Sequence, residues 1–275
     1  MTTEELFGLL KARFCALPEL PPLLEAGDSI EVRPLTPGDI LGTAERTDFP
    51  VLAGKEIIQQ AAFREGRGQA FTGQPVSRTL TLAQLLDLDL SSHREQALFL
   101  AGLNAVLHHL GLISDTVHCK DQGPEDCART AAAALQAELR AELGDVKLAL
   151  IGYQPCLYAH LSGAFPRFRV TDLSPDKIGI RKYGCTVEDG SRVTEEVCAW
   201  ADVILCTGST LTNGTFPPFY ELAQTGRDIR FYGTTVAGAA RLLGLKRLCW
   251  ANANGRPGAS RRPRNGGPGL GRLAQ

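Results

Sequence analysis

Hydrophobic and polar positions in the second half of the chain come as short apolar runs, each closed by a polar break. Lys147-Leu-Ala-Leu-Ile151 has the composition of a buried strand and breaks at Gly152-Tyr-Gln-Pro155. Arg167-Phe-Arg-Val-Thr171 repeats the pattern and ends on Asp172. Asp202-Val-Ile-Leu-Cys206 repeats it again and runs into Thr207-Gly-Ser-Thr-Leu-Thr-Asn213. A fourth strand is expected over 228–232 and a fifth over 246–250, with helices over 216–224 and 235–243. Short strands that each end in Gly, Thr, Asn or Asp before a helical stretch predict a parallel α/β sheet. Such sheets bind ligands beyond the carboxyl ends of their strands.

The first half is less regular. Residues 2–14 form an amphipathic pattern with Leu6, Leu9 and Leu10 on one face, closed by Leu17-Pro-Glu-Leu-Pro-Pro22. Residues 29–32 alternate as a strand does. Residues 39–73 are punctuated by Gly42, Gly54, Gly66, Gly68 and Gly73, and 55–63 fits helix or strand. Residues 81–86 predict a short helix or turn. Residues 92–110 give the clearest helix. Ser92 and Glu95 have capping-box spacing, the apolar surface is wide enough for burial, and Gly111 is placed to end it. Pro124, with Glu125 and Asp126 in the first turn, opens an Ala-rich helix that runs to Leu143.

These patterns divide the chain into a leading α+β part (1–111), a connecting segment and helix (112–144), a parallel-sheet domain (145–251) and a basic tail (252–275). The chain has 275 residues and a net charge of −1. That near-neutral total averages two unlike parts. Residues 251–275 hold five arginines and no acid, and the remainder carries 24 basic against 30 acidic residues. The acidic body argues against a general nucleic-acid partner. The tail is rich in Gly, Pro and Arg, has almost nothing to bury, and is expected to be disordered. No apolar run is long enough for a bilayer, and Met1-Thr-Thr-Glu-Glu5 lacks a basic n-region, so a cytoplasmic location is expected. Eight cysteines without a CxxC pair suit reduced thiols rather than a disulfide scaffold. Homo-oligomerisation is left open.

The chemistry sits at the strand ends. Gly152 allows a tight turn into a helix whose N–H groups can face an anion. Gly152-Tyr-Gln-Pro-Cys156 lacks the later glycines of GxGxxG, which disfavours a standard dinucleotide site. Asp172, twenty residues on, either binds ribose hydroxyls or caps the turn through Ser174. The block 207–215 crowds hydroxyls, an amide and helix-start N–H groups into one volume. That suits a phosphate, a carboxylate or a metal-bound oxyanion, although helix capping explains part of it. Gly233-Thr-Thr235 is expected at the same mouth. His118, Cys119 and Cys127 can converge on one soft transition metal ion, the alternative being that the cysteines are small buried apolar residues. Cys156 at a helix start is a candidate nucleophile, with His160 on its helix face but no identified base.

Strand-Gly-Tyr-Gln-Pro, the Asp after the second strand, 201–215 and the strand leading to Tyr232-Gly233 together resemble the Rossmann-like family called the putative heavy-metal chelation domain, over about residues 145–250. The block Thr207-Gly-Ser-Thr-Leu-x-Asn213-x-Thr215 is its most telling part. The resemblance implies a Rossmann-like parallel sheet domain preceded by a smaller α+β domain similar to the N-terminal domain of enolase. The segment 96–111, with Gly102-Leu-Asn104, resembles a helix of that leading domain. It also implies a ligand in the cleft between the two and a link to metal handling. The positions carried over are Gly152, Pro155, Asp172, Thr207, Gly208, Ser209, Thr210, Asn213 and Gly233. The function expected is binding of a small molecule or metal complex. The alternative is a methyltransferase-like group-transfer enzyme using an adenosine-type cofactor at Gly152 and Asp172. The sequence identifies no catalytic residue.

Overall fold

The computed structural model describes residues 1–54, 56–143 and 145–250. The expected stop at Gly144 and the expected disordered tail lie outside them. The leading half runs α1 (Thr3–Cys15), α2 (Leu20–Ala26), β1 (Ser29–Pro34), α3 (Pro37–Leu41), β2 (Ile57–Phe63), β3 (Gly66–Thr72), β4 (Arg78–Thr81), α4 (Leu82–Leu86) and α5 (His93–His109). Then follow α6 (Gly123–Leu143), β5 (Lys147–Ile151), α7 (Pro155–Ala164), β6 (Arg167–Asp172), β7 (Arg181–Lys182), β8 (Cys185–Asp189) and α8 (Gly190–Trp200). The chain continues with β9 (Val203–Thr207), α9 (Phe216–Gln224), β10 (Asp228–Tyr232), α10 (Ala237–Leu243) and β11 (Arg247–Leu248).

The leading strands form an antiparallel sheet in the order β3-β2-β1-β4. Its central helix, α5, is apolar almost all round, as its sequence predicts, and buries every residue from Gln96 to Leu107. Ser92 caps it by accepting the Glu95 N–H at 3.3 Å. Two glycines explain how α5 lies so close to β3. A Cβ on Gly68 would stand 2.2 Å from the Ala105 nitrogen and 2.5 Å from the Ala101 oxygen, and one on Gly66 would stand 2.2 Å from the Ala105 oxygen. Being two apart, both face the helix. Two of the glycines that obscured 39–73 in the sequence, Gly66 and Gly68, are thus a packing surface, and the ambiguous 55–63 contains strand β2.

The second sheet has the order β11-β10-β9-β5-β6-β8-β7, parallel throughout except for the antiparallel β7. The mixed α/β class expected from the sequence is present. Counted from β5, the parallel strands follow the doubly wound order 3-2-1-4-5-6, whose direction reverses between β5 and β9. That switch point sets Gly152 beside Thr207. The third strand is shifted by one residue from expectation: Asp202 precedes it, its N–H donating to the Lys147 carbonyl at 2.9 Å and its carboxylate accepting the Lys147 N–H at 2.8 Å. The fifth pairs over only two residues, Phe231 with Arg247 and Tyr232 with Leu248. β7, β8 and α8 have no counterpart in the sequence reading. β8 fully buries only Val187, so it shows little apolar alternation, and α8 fully buries only Gly190, Val197 and Cys198.

The two halves share their apolar interior. One core cluster joins Leu6, Phe14 and Phe99 to Ile204, Phe216 and Phe231. The other joins Ile40 and Ile58 to Leu135, Leu150 and Tyr158. Polar ties cross as well. The Phe71 N–H donates to Thr235 Oγ1 at 3.0 Å, and Arg13 donates to the Leu242 carbonyl at 2.7 Å. Asn104, fully buried on α5, donates to the carbonyls of Gln69 (3.0 Å), Thr234 (3.1 Å) and Thr235 (3.2 Å), and accepts the Gly238 N–H at 2.7 Å. Among the described residues no helix is long and apolar enough to cross a membrane.

Candidate functional site

A cavity of about 1270 Å³ opens where the strand ends of the parallel sheet meet the leading half. Gly152, Pro155, Asp172, Thr207, Gly208, Ser209, Thr210, Asn213 and Gly233 all line it, and so do His118, Cys119 and Cys127. The leading half contributes Phe49, Val51, Glu56 and Phe71.

The floor is the junction of three loops. Gly152 has φ +94°, a conformation that side-chain-bearing residues resist, and a Cβ there would stand 2.5 Å from Thr207 Cγ2. The Tyr232 hydroxyl donates to the Gly152 carbonyl at 2.9 Å. The ends of β5, β9 and β10 are therefore locked together. Pro155 opens α7, where the Gln154 side chain caps by accepting the Leu157 N–H.

Asp172 does what the capping alternative requires. One carboxylate oxygen accepts the Ser174 N–H at 2.7 Å and the other accepts the Tyr153 N–H at 2.6 Å. It staples the loops after β5 and β6. Glu56 stands towards it from the leading half. Glu56 retains an open face, but crowding on its other sides, followed by the charge of Asp172, raises its carboxyl pKa, with Lys177 opposing.

The polar block after β9 is a 3-10 turn, Gly208–Leu211. Its groups largely bind one another. Thr207 Oγ1 accepts the Ser209 N–H at 3.3 Å, and Thr210 Oγ1 donates to the Thr207 carbonyl at 2.7 Å. Thr212 Oγ1 donates to the Ser209 carbonyl at 3.0 Å, while Asn213 Oδ1 accepts the Thr215 N–H at 3.1 Å and its hydroxyl at 2.7 Å. These bonds make the loop stiff and leave fewer hydroxyls for a ligand than the sequence suggests. Thr234, just past β10, is the exception. It is 6% exposed, lines the cavity, and its Oγ1 has no hydrogen-bond partner among the described residues. A buried hydroxyl without a partner costs about 1–3 kcal/mol, which a ligand atom or water can recover.

At the β11 end of the cavity stands Arg247. Its guanidinium donates to the carbonyls of Gly233 (3.1 Å), Ser114 (3.0 Å) and Asp115 (2.5 Å), and burial lowers its pKa. His118 is buried. Its Nδ1 lies 2.7 Å from the Cys119 carbonyl oxygen, its ring stands edge-on to Phe71, and burial lowers its pKa. The backbones of both Cys119 and Ile40 hydrogen-bond the ring, so His118 is engaged by its own surroundings here. Cys119 and Cys127 fare differently, since their thiols are hydrogen-bonded together. Cys249, which the sequence reading did not single out, joins them. Among the described residues no group of three or more His, Cys, Asp or Glu is arranged to hold a metal ion.

Cys156 is fully buried, and burial followed by the charge of Glu125 pushes its thiol up to about 12. An activated nucleophile needs the opposite shift. His160 faces Glu125 at 2.9 Å rather than a substrate. Arg247, Glu56 and Cys249 are among the cavity residues that the sequence reading missed. Arg247 and Cys249 both fall inside the strand expected over 246–250.

Fold and cavity together define a class: an α/β protein with a parallel sheet whose polar strand ends face one large cleft. The family comparison agrees. Residues 136–245 match DUF364, a family described as putative heavy-metal chelation. The chain is similar in fold to a DUF364-family protein of unknown function from Desulfitobacterium hafniense, at 17% identity and a TM-score of 0.51, over 87% of this chain and 83% of that one. A second DUF364-family protein of unknown function, from Pyrococcus horikoshii, is 16% identical over 82% of this chain and 79% of that one, with a TM-score of 0.46. No curated protein matches the chain.

Proposed function

We propose that the chain binds a small molecule or a metal complex in the cavity between its leading half and its parallel sheet. The observation that carries this reading is the Thr234 hydroxyl, without a hydrogen-bond partner among the described residues and buried in a stiff polar wall of a cavity about 1270 Å³ in volume. Pockets of such size with few convergent polar groups are typical ligand sites. The positive charge of the half-buried Arg247 and the loop N–H groups favour an anionic ligand. The family description supports a role in heavy-metal handling, and the softness of the thiol donors suits such a metal. In this reading residues 1–111 are an enolase N-terminal-like domain, 112–144 a connector and 145–251 a Rossmann-like domain. The nine strand-end positions, Gly152 through Gly233, shape the ligand's seat.

A methyltransferase-like enzyme using an adenosine-bearing cofactor is the second reading. The doubly wound strand order favours it. The engagement of Asp172 with two backbone N–H groups weighs against it. Thermal denaturation of the full chain with S-adenosylmethionine, nucleotides and divalent metal ions separates the two. A saturable rise with S-adenosylmethionine supports the enzyme, and a rise with metal ions supports chelation. A Thr234→Val chain should lose affinity for the cavity ligand while retaining its own Tm. Unchanged affinity would remove the observation on which the proposal stands.

A further inference from the structure

One wall of the cavity is a strap that lies between α3 and β2 and contains a 3-10 turn, Pro50–Ala53. Glycines with positive φ bound it, Gly42 at +60° and Gly54 at +70°. Thr43, next to the first, is pinned, its N–H and its hydroxyl both donating to Asp121 Oδ1 at 2.8 Å. Among the described residues, no backbone-to-backbone hydrogen bond joins 45–53 to any residue outside 45–54. Side chains therefore hold the strap, and they divide into two groups. Phe49, Pro50 and Val51 line the cavity, and Phe49 and Val51 are each 5% exposed. Arg46 and Asp48 lie off the cavity wall and reach across to the parallel-sheet half.

Arg46 Nε donates to Asp48 Oδ1 at 2.6 Å, while its two terminal nitrogens donate to Glu125 in the first turn of α6 and to the Tyr183 hydroxyl at 3.0 Å. Asp48 also accepts from the Tyr153 hydroxyl at 3.3 Å and from Lys182 Nζ at 3.4 Å. Glu125 is steadied in turn by His160, whose Nε2 lies 2.9 Å from its other carboxylate oxygen. Lys182 and Tyr183 belong to β7 and the turn after it, so the antiparallel end of the second sheet supplies half of the contact. These ion pairs are all partly exposed, and such pairs hold weakly and reversibly. The two halves of the molecule, by contrast, share both apolar clusters and cannot part without exposing them. A change in access to the cavity is left to the strap.

We propose that residues 44–53 are a gate of the cavity, hinged beside Gly54 and latched by Arg46 and Asp48 against Glu125, Lys182 and Tyr183. Shut, the gate turns Phe49 and Val51 onto whatever the cavity holds. Open, it gives both side chains to water, so the shut state is the populated one and opening is transient. None of the five latch residues lines the cavity. They therefore set how fast a ligand enters and leaves, while its affinity belongs to the cavity wall. The gate rests on the cavity reading only for what passes through it.

The first test needs no ligand. Trypsin cuts after Arg46 only when the strap is released, and the rate follows the released population. Glu125→Ala and Tyr183→Phe leave the strap sequence untouched, so the protease meets the same target. In the native full chain, read by mass spectrometry of the fragments, Glu125→Ala should speed cleavage after Arg46 at least about tenfold, and Tyr183→Phe, at an exposed position, about threefold. Cleavage after Arg192, exposed on α8, should keep its parent rate. A parent cut as fast as the variants, or cleavage that rises equally at both sites, overturns the gate. The second test is stopped-flow binding of the fluorescent dye anilinonaphthalene sulfonate. Its association and dissociation rates should rise together in both variants with Kd unchanged. A changed Kd at constant association rate overturns the gate. Release of Arg46 in the variants of a chain that binds neither dye nor any other small molecule upholds the latch and overturns the cavity reading.

Discussion

Replacing Asn104 should separate the two halves of the molecule more effectively than any other single truncation of a polar side chain. Its amide sits fully buried on α5 and reaches four backbone groups. Two N–H hydrogens serve three carbonyls at 3.0, 3.1 and 3.2 Å, so two bonds are direct and one is shared. Oδ1 accepts the Gly238 N–H at 2.7 Å. Asn104→Ala removes roughly three net bonds at about 1 kcal/mol each and leaves the Gly238 N–H buried without an acceptor. The loss should come to about 3–5 kcal/mol, a large fraction of the 5–15 kcal/mol typical of folded proteins. For a chain of this length, at a little under ~2 °C per kcal/mol, that lowers Tm by about 5–9 °C. Asn104→Asp should be worse, because it turns an oxygen towards carbonyl oxygens and buries a charge. Thermal and urea unfolding of the three proteins measure this directly. A loss below about 1 kcal/mol for Asn104→Ala, or an Asp variant more stable than the Ala variant, would refute the reasoning.

Gly68→Ala should destabilise through overlap with the α5 backbone, which no rotamer relieves, by more than the ~1–3 kcal/mol of ordinary overpacking; a Tm unchanged within error would contradict the α5–β3 contact. Gly152→Ala must hold a side chain at φ +94° against Thr207, at a cost of about 1–3 kcal/mol, and should weaken any cavity ligand as well as stability. Acid unfolding should depend on Asp228. Burial alone would raise its pKa, but hydrogen bonds from Arg230 and Lys246 and their charges lower it below 3.8. Its stabilising contribution is therefore complete above about pH 4 and lost as pH falls through the lower folded value. An Asp228→Asn chain should show a flatter Tm profile below pH 4, and a parallel profile would exclude the role. Cys156 should resist alkylation in the native chain while Cys15, exposed on the surface, reacts, as mass spectrometry of timed quenches would show.

The parallel strands were legible because apolar runs closed by polar breaks carry their own boundaries. The 228–232 strand and the 216–224 helix match to the residue. α5 was legible for the same reason, its apolar surface being too wide for anything but burial. The hairpin β2–β3 was not, because Gly66 and Gly68 answer to a helix far along the chain and not to local geometry. At the site, proximity to the strand ends found the floor. It did not find Arg247 or Cys249, since no spacing rule links residue 119 to residue 249; only the packing of β11 beside β10 brings them together. Asp172 shows the reverse limit. Its position suited a ribose, while its hydrogen bonds belong to its own loops.

Native mass spectrometry of the full chain, titrated with divalent metal ions, nucleotides and S-adenosylmethionine, examines the cavity most directly. A stoichiometric one-to-one adduct should form with at least one of them and weaken in Gly152→Ala and Thr234→Val. A chain that takes up none of them, or variants that bind as tightly as the parent, would contradict a ligand seated between the two halves.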